Sequence, residues 1–234
     1  MCNPRQPQKG TVKNVMNEKI DKNSDKYISK AVIRRLPRYF RYLRELINSD
    51  IMRISSKELS ERMGVTASQI RQDLNCFGGF GQQGYGYNVK YLYSEISKIL
   101  GVNKSYTAII VGVGNLGKAL IGTPMFEKRG VSISGLFDVS HETVGKQFGD
   151  LSVMNITEMA DFCKEKEIDI AILTLPKTEV YKTATVLAEA GVKGFWNFSN
   201  AELSLADYPE VKIENVHLGD SLMALCYSLN SSEE

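Results

Sequence analysis

Residues 107–120 read Thr-Ala-Ile-Ile-Val-Gly-Val-Gly-Asn-Leu-Gly-Lys-Ala-Leu: an apolar run, then glycines at 112, 114 and 117, then the start of a helical pattern. Each glycine has a separate task in such a turn. Gly112 permits the tight reversal, Gly114 lets the backbone approach a pyrophosphate, and Gly117 allows the helix to pack closely on the strand. The helix N-terminus then presents unpaired N–H groups and partial positive charge to an anion. Gly112, Val113, Gly114, Asn115, Leu116 and Gly117 are therefore the expected dinucleotide loop. Asp138 ends the next apolar run, 21 residues after Gly117. A carboxylate there can accept both ribose hydroxyls and repels a 2′-phosphate, so NADH or NAD⁺ is favoured over the phosphorylated cofactor.

Outward from this turn the same periodicity continues. Buried strands are expected at VSISGLFD, DIAILTLP and GFWNF, with helical segments near 156–167 and 178–190 between them. Alternation of this kind predicts a parallel sheet with right-handed crossovers, an α/β Rossmann domain of the doubly wound class. The chain closes on LGDSLMALCYSL, a helical pattern whose Leu218, Leu222, Leu225, Cys226 and Leu229 cover more than one face and so need a partner surface, within the domain or on a second subunit.

The N-terminal side follows a different grammar. Ile33, Leu36, Tyr39, Phe40, Leu43 and Leu46 recur at helical spacing while Arg34, Arg35, Arg38 and Arg41 share the remaining surface. Pro37 is expected to kink this helix or mark its first turn. Ser55 with Glu58 and Thr66 with Gln69 are two capping-box signatures, and Gly64 between them supplies a turn. Leu59, Met63, Val65, Ile70 and Leu74 give the two short helices a shared core, which is helix-turn-helix spacing. Glycines alternating with Phe80, Tyr85 and Tyr87 then suit a twisted hairpin, a wing. In such a unit the second helix projects Ser68, Gln69, Arg71 and Gln72 toward base edges; Arg34, Arg35, Arg38 and Lys57 can hold phosphates, and Gln82 and Tyr87 belong to the wing.

Charge agrees with that division. Residues 1–100 hold 18 Lys/Arg against 9 Asp/Glu, a net +9, and residues 101–234 hold 11 against 18, a net −7. Only the first part is suited to face a polyanion. The expected domains are a flexible tail over 1–26, with Met16 as an alternative start, a winged-helix unit with linker helix over 27–100, a Rossmann unit over 101–217, and a terminal helix and tail over 218–234.

Several classes are disfavoured. There is no apolar run of membrane-spanning length and no secretory leader pattern, so a cytoplasmic protein is expected. The four cysteines, Cys2, Cys76, Cys163 and Cys226, include no CxxC pair, and with His141 and His217 alone no metal-ligand spacing can be assembled. Neither histidine has an evident acid-base partner, so no catalytic residue is expected and the dinucleotide is read rather than consumed. An NAD-dependent oxidoreductase with an accessory nucleic-acid domain, and a regulator sensing coenzyme A, remain as alternatives.

RYFRYLREL, SSKELSERMGVTASQIRQDL, FGGFGQQGYGYNV, IIVGVGNLGKAL, GLFDV and GVKGFWNF occur in the order and spacing of the Rex family of redox-sensing transcriptional repressors, which the chain resembles from about residue 30 onward. The break at Gly122-Thr-Pro124 also resembles that family. The resemblance implies a homodimer that binds palindromic operator DNA when NADH is scarce, leaves it when NADH binds, has no protein substrate, and exchanges its terminal helix between subunits near the nicotinamide. Three departures stand out. Gln82 and Gln83 occupy the wing where a basic pair is common. His217-Leu218 replaces an Asp-Phe pair whose Asp can meet an arginine matching Arg41. NFSN at 197–200 replaces a more usual NFAP.

Overall fold

The computed structural model describes residues 28–82 and 85–231; the expectations for residues 1–26, for Gln83 and for the side chain of Gln82 lie outside the described residues. The chain divides into two compact units between Tyr93 and Ser94. That point falls inside the helix expected to close the first domain, seven residues before its expected end.

The first unit opens with α1 (Lys30–Asn48), capped by the Ser29 side chain. Val32, Leu36, Tyr39, Leu43 and Leu46 form its buried stripe. Ile33, expected in that stripe, is instead 47% exposed. The helix runs through Pro37 without a break. A proline inside a helix costs about 3 kcal/mol, whereas each large side chain of the stripe contributes about 1.5–3 kcal/mol by burial, so packing wins. Ile33 and Pro37 share the solvent side, where water can take the carbonyl that the missing N–H leaves over.

Then come β1 (Arg53–Ile54), α2 (Ser56–Met63) and α3 (Ala67–Asn75). Ser55 and Glu58 form a complete capping box, and Gly64 at φ 62° ends α2 in the left-handed conformation. β2 (Gly81–Gln82) and β3 (Gly86–Asn88) make the wing, and β1, which the sequence reading missed, pairs antiparallel with β3. A side chain at Gly86 would place its Cβ 2.6 Å from the Ile54 carbonyl, so only glycine fits that close approach. α4 (Val89–Leu100) follows directly.

The second unit is a seven-stranded sheet. Its strands are β4 (Tyr106–Val111), β5 (Val131–Asp138), β6 (Gln147–Phe148), β7 (Leu151–Asn155), β8 (Ile170–Leu173), β9 (Gly194–Asn197) and β10 (Lys212–Asn215). The order is β10-β9-β8-β4-β5-β7-β6, all parallel except β6 against β7. β6, β7 and β10 escaped the sequence reading because they are half-exposed and carry no continuous apolar run. α5 (Asn115–Ile121), α6 (Met159–Lys166) and α7 (Lys177–Glu189) are the helices of the crossovers, and α8 (Leu218–Asn230) ends the described chain. Ile109, Val111, Phe137, Leu173 and Leu187 belong to one core layer; Ile110, Leu136, Ile172 and Phe126 belong to the other. Strand order reverses at β4, whose neighbours are β5 and β8, and a crevice at the carboxyl ends of the strands is where ligands enter such sheets.

Candidate functional site

The glycine turn lies at that reversal point. Gly112 adopts φ 95°, and a Cβ there would stand 2.7 Å from the Thr174 carbonyl oxygen. A Cβ on Gly117 would stand 2.1 Å from the Gly112 oxygen, so α5 rests directly on the turn. At Gly114 the same construction meets open space, and no side chain caps α5, which leaves its first amides to solvent or an anion. Gly114 and Asn115 are exposed, whereas Val113 is buried and Leu116 packs on the core. Val113 also donates its N–H to Asp138 Oδ2 at 2.6 Å and so supports the turn from within the chain.

Asp138 ends β5 facing this turn. Its Oδ1 accepts the Ser140 N–H at 2.8 Å. Each carboxylate oxygen thus holds one backbone amide and keeps capacity for a further donor, such as a ribose hydroxyl. Thr174, which carried no signal in the sequence, donates its hydroxyl to the Gly112 carbonyl.

In the first unit, Ser68, Arg71 and Gln72 are exposed on α3, and Arg34, Arg38 and Lys57 are exposed on α1 and α2. Arg71 Nη1 donates to Ser56 Oγ at 3.0 Å, and Arg38 Nη2 donates to the Met63 carbonyl. Three expected contacts are otherwise employed. Arg35 forks onto Asp73, with Nε and Nη2 each 2.7 Å from a carboxylate oxygen, and so clamps α1 to α3. Tyr87 is buried and contributes to the core behind the wing. Gln69 Nε2 donates to Asp73 Oδ1 at 2.7 Å, so the second capping box is only half formed: Thr66 caps the Gln69 amide, and the Gln69 side chain does not return.

Asp73 is the residue that sequence reasoning missed. It is fully buried and accepts from Arg35, Gln69 and the Tyr39 hydroxyl, the last at 2.9 Å. Its position was the available signal, since it lies between Ile70 and Leu74 on the face α3 buries. Burial alone would raise its carboxyl, but the hydrogen bonds from Arg35, Gln69 and Tyr39 outweigh that and hold it below the usual carboxylate range. Burial and the Asp73 contact push the Tyr39 phenol well above its ordinary range.

Elsewhere, His141 is exposed in a turn, and His217 Nε2 lies 2.9 Å from Glu202 Oε2 at the start of α8. That contact, with a second from Asn215, holds the Glu202 carboxyl below the usual range. Asn197 of the NFSN loop is buried and spans the ends of β9 and β10, its Nδ2 donating to the Ala201 carbonyl and Asn215 Oδ1, both at 2.8 Å. Cys163 is buried in the core, whereas Cys226 is exposed within this chain, as are Leu218, Leu222, Met223, Leu225, Tyr227 and Leu229 of the same helix. Among the described residues no helix is long and apolar enough to cross a membrane, and no group of three or more His, Cys, Asp or Glu could hold a metal ion.

Comparison with known proteins bears on both units. Residues 27–75 match the family model described as "Putative DNA-binding protein N-terminus", and residues 103–201 match the one described as "CoA binding domain". A protein of Thermoanaerobacter sp. (strain X514) named redox-sensing transcriptional repressor Rex is 54% identical over 206 residues, covering 88% of this chain and 91% of the relative. Its namesake in Clostridium perfringens (strain SM101 / Type A) is 49% identical over 208 residues, covering 89% and 97%. Among solved structures, RSP in complex with β-NAD⁺ and operator DNA is 53% identical with a TM-score of 0.82, covering 88% of this chain and 94% of that one. RSP in complex with β-NADH is 50% identical with a TM-score of 0.81, covering 88% and 96%.

Proposed function

The chain belongs to the Rex family of redox-sensing transcriptional repressors, and we propose that it holds operator DNA through its N-terminal unit and releases it when NADH occupies the glycine turn of the other. The observation that carries this is the turn itself: Gly112, Gly114 and Gly117 stand at the reversal point of the sheet with Asp138 across from them. The backbone of Gly114 and Asn115 approaches the pyrophosphate, Gly117 lets α5 pack on the turn, and the free capacity of Asp138 takes the ribose hydroxyls. On the DNA side, Ser68, Arg71 and Gln72 meet base edges in the major groove, while Arg34, Arg38 and Lys57 meet phosphates and Gln82 takes part from the wing.

The working form is a cytoplasmic homodimer. Six large apolar side chains of α8 are exposed in the single chain, far more than a lone surface helix carries, and a second copy is the cover that also provides two recognition helices for a palindrome. NADH differs from NAD⁺ by a hydride and a ring charge, so a dry nicotinamide pocket closed by the partner's α8 favours the neutral ring. A hundredfold preference between two conformations is worth about 2.7 kcal/mol per site, and two coupled sites supply about 5.5 kcal/mol, enough to carry a dimer from mostly bound to mostly released.

The coenzyme A family model over 103–201 favours a second ligand class. Asp138 opposes it, because a ribose phosphate would meet a carboxylate. The deciding experiment binds the purified protein to operator-bearing fragments at fixed salt and titrates NADH, NAD⁺ and coenzyme A separately. Release by NADH at concentrations where the other two do little is expected; indifference to NADH overturns the proposal, and release by coenzyme A selects the alternative.

A further inference from the structure

We infer that Thr174 is a positioning residue for the dinucleotide, acting through one peptide unit of the glycine turn; the inference rests on the glycine turn being the NAD(H) site. Thr174 follows β8, and its N–H donates to the Val111 carbonyl at 2.9 Å, which continues the β4–β8 ladder by one bond. Its hydroxyl donates to the carbonyl of Gly112, and Val111 O lies within reach at 3.2 Å. The same peptide unit that carries the Gly112 carbonyl carries the Val113 N–H, and that N–H donates to Asp138 Oδ2 at 2.6 Å.

Among the described residues all peptide bonds are trans, so the C=O and N–H of this unit point to opposite sides. One side is held by Thr174 at the end of β8 and the other by Asp138 at the end of β5, the two strands that flank β4. The Gly112–Val113 plane is thereby fixed across the reversal point of the sheet. This matters because Gly112, at φ 95°, is free to rotate in ways other residues are not, and the turn on its own has little to choose among orientations. Gly117 completes the enclosure: its missing side chain leaves room for the Gly112 oxygen, and the Thr174 hydroxyl lies 3.1 Å from where that Cβ would be. Without the hydroxyl the Gly112 oxygen of this buried residue has no donor among the described residues, the plane can turn, and Asp138 loses the amide that sets its orientation toward the ribose.

The test compares Thr174→Val, which keeps the shape and removes the donor, with Thr174→Ser, which keeps the donor. NADH affinity, ligand-free operator affinity and melting temperature are measured for each, alone and combined with Asp138→Ala. The valine variant should bind NADH about tenfold more weakly, the loss expected for one hydrogen bond to a buried acceptor. Its ligand-free operator affinity should be unchanged. Serine should restore NADH affinity to within about twofold of the parent, a comparison that stands even if the valine variant folds poorly. In the Asp138→Ala background the valine substitution should cost little more, since both act on one peptide unit. Parent-like NADH binding by the valine variant, equal losses for valine and serine, or full additivity with Asp138→Ala overturns the inference. If Asp138→Ala alone leaves NADH binding intact, it is the placement of the dinucleotide that fails.

Discussion

Arg35 on α1 and Asp73 on α3 are joined by two hydrogen bonds of 2.7 Å, one from each of two guanidinium nitrogens to each carboxylate oxygen. The carboxylate is fully buried while the arginine side chain remains 29% exposed. The pair therefore sets how the helix nominated for base contact sits against α1. Breaking a buried pair costs about 3–5 kcal/mol, but Arg35 can recover some hydration, so Asp73→Ala should destabilise the N-terminal unit by about 2–3 kcal/mol in chemical denaturation. Operator affinity should fall with it, while NADH affinity should not.

The same carboxyl gives that unit an acid limit. Its pKa in the folded state lies below that of the unfolded chain, so the stabilisation is fully present above the unfolded value near 3.9 and is lost as pH falls through the folded one. Denaturation followed from pH 6 to pH 2 should show the parent losing stability below about pH 4 with a steeper slope than Asp73→Asn. Parallel slopes would remove Asp73 from the account.

On the DNA side, Arg71→Ala should weaken operator binding by about 1–3 kcal/mol, roughly five- to 150-fold, and spare NADH binding. Asp138→Ala should do the reverse. Tyr87→Phe should leave operator affinity unchanged, because Tyr87 is 8% exposed and serves the core. A large loss for Tyr87→Phe in a mobility-shift titration would restore it to the DNA contact set.

The Cys163 thiol, buried under the sheet, is pushed up to about 12 by burial. At pH 8 it should be almost entirely protonated and resist alkylation in the folded protein. Mass spectrometry after a timed iodoacetamide pulse should find Cys163 unmodified until denaturant is added; prompt labelling would mean that the α6 packing opens readily.

Placing a charge on α8 tests its need for a partner. Leu222→Asp should cost nothing inside a single chain, where Leu222 is 62% exposed, yet convert the dimer to monomer in sedimentation velocity and abolish operator binding. A dimer that survives the substitution would place its interface elsewhere.

Local patterns were legible wherever a physical rule acts within a few residues. The glycine spacing, the acid 21 residues beyond it, the Ser55–Glu58 box, the left-handed Gly64 and the four strands β4, β5, β8 and β9 could all be read from the chain. Tertiary contact decided the rest. Arg35 and Gln69 each meet Asp73 at 2.7 Å in the fold, and nothing in the separation of 38 residues between Arg35 and Asp73 announces their meeting. Pro37 reads as a helix breaker until the buried stripe around it outweighs its cost. Thr174 and Asp138 reach one peptide unit only because parallel strands distant in sequence end side by side. Propensity, capping and periodicity are short-range and so are written in the sequence, whereas the partner of a buried polar group is fixed by which surfaces the folded chain closes together.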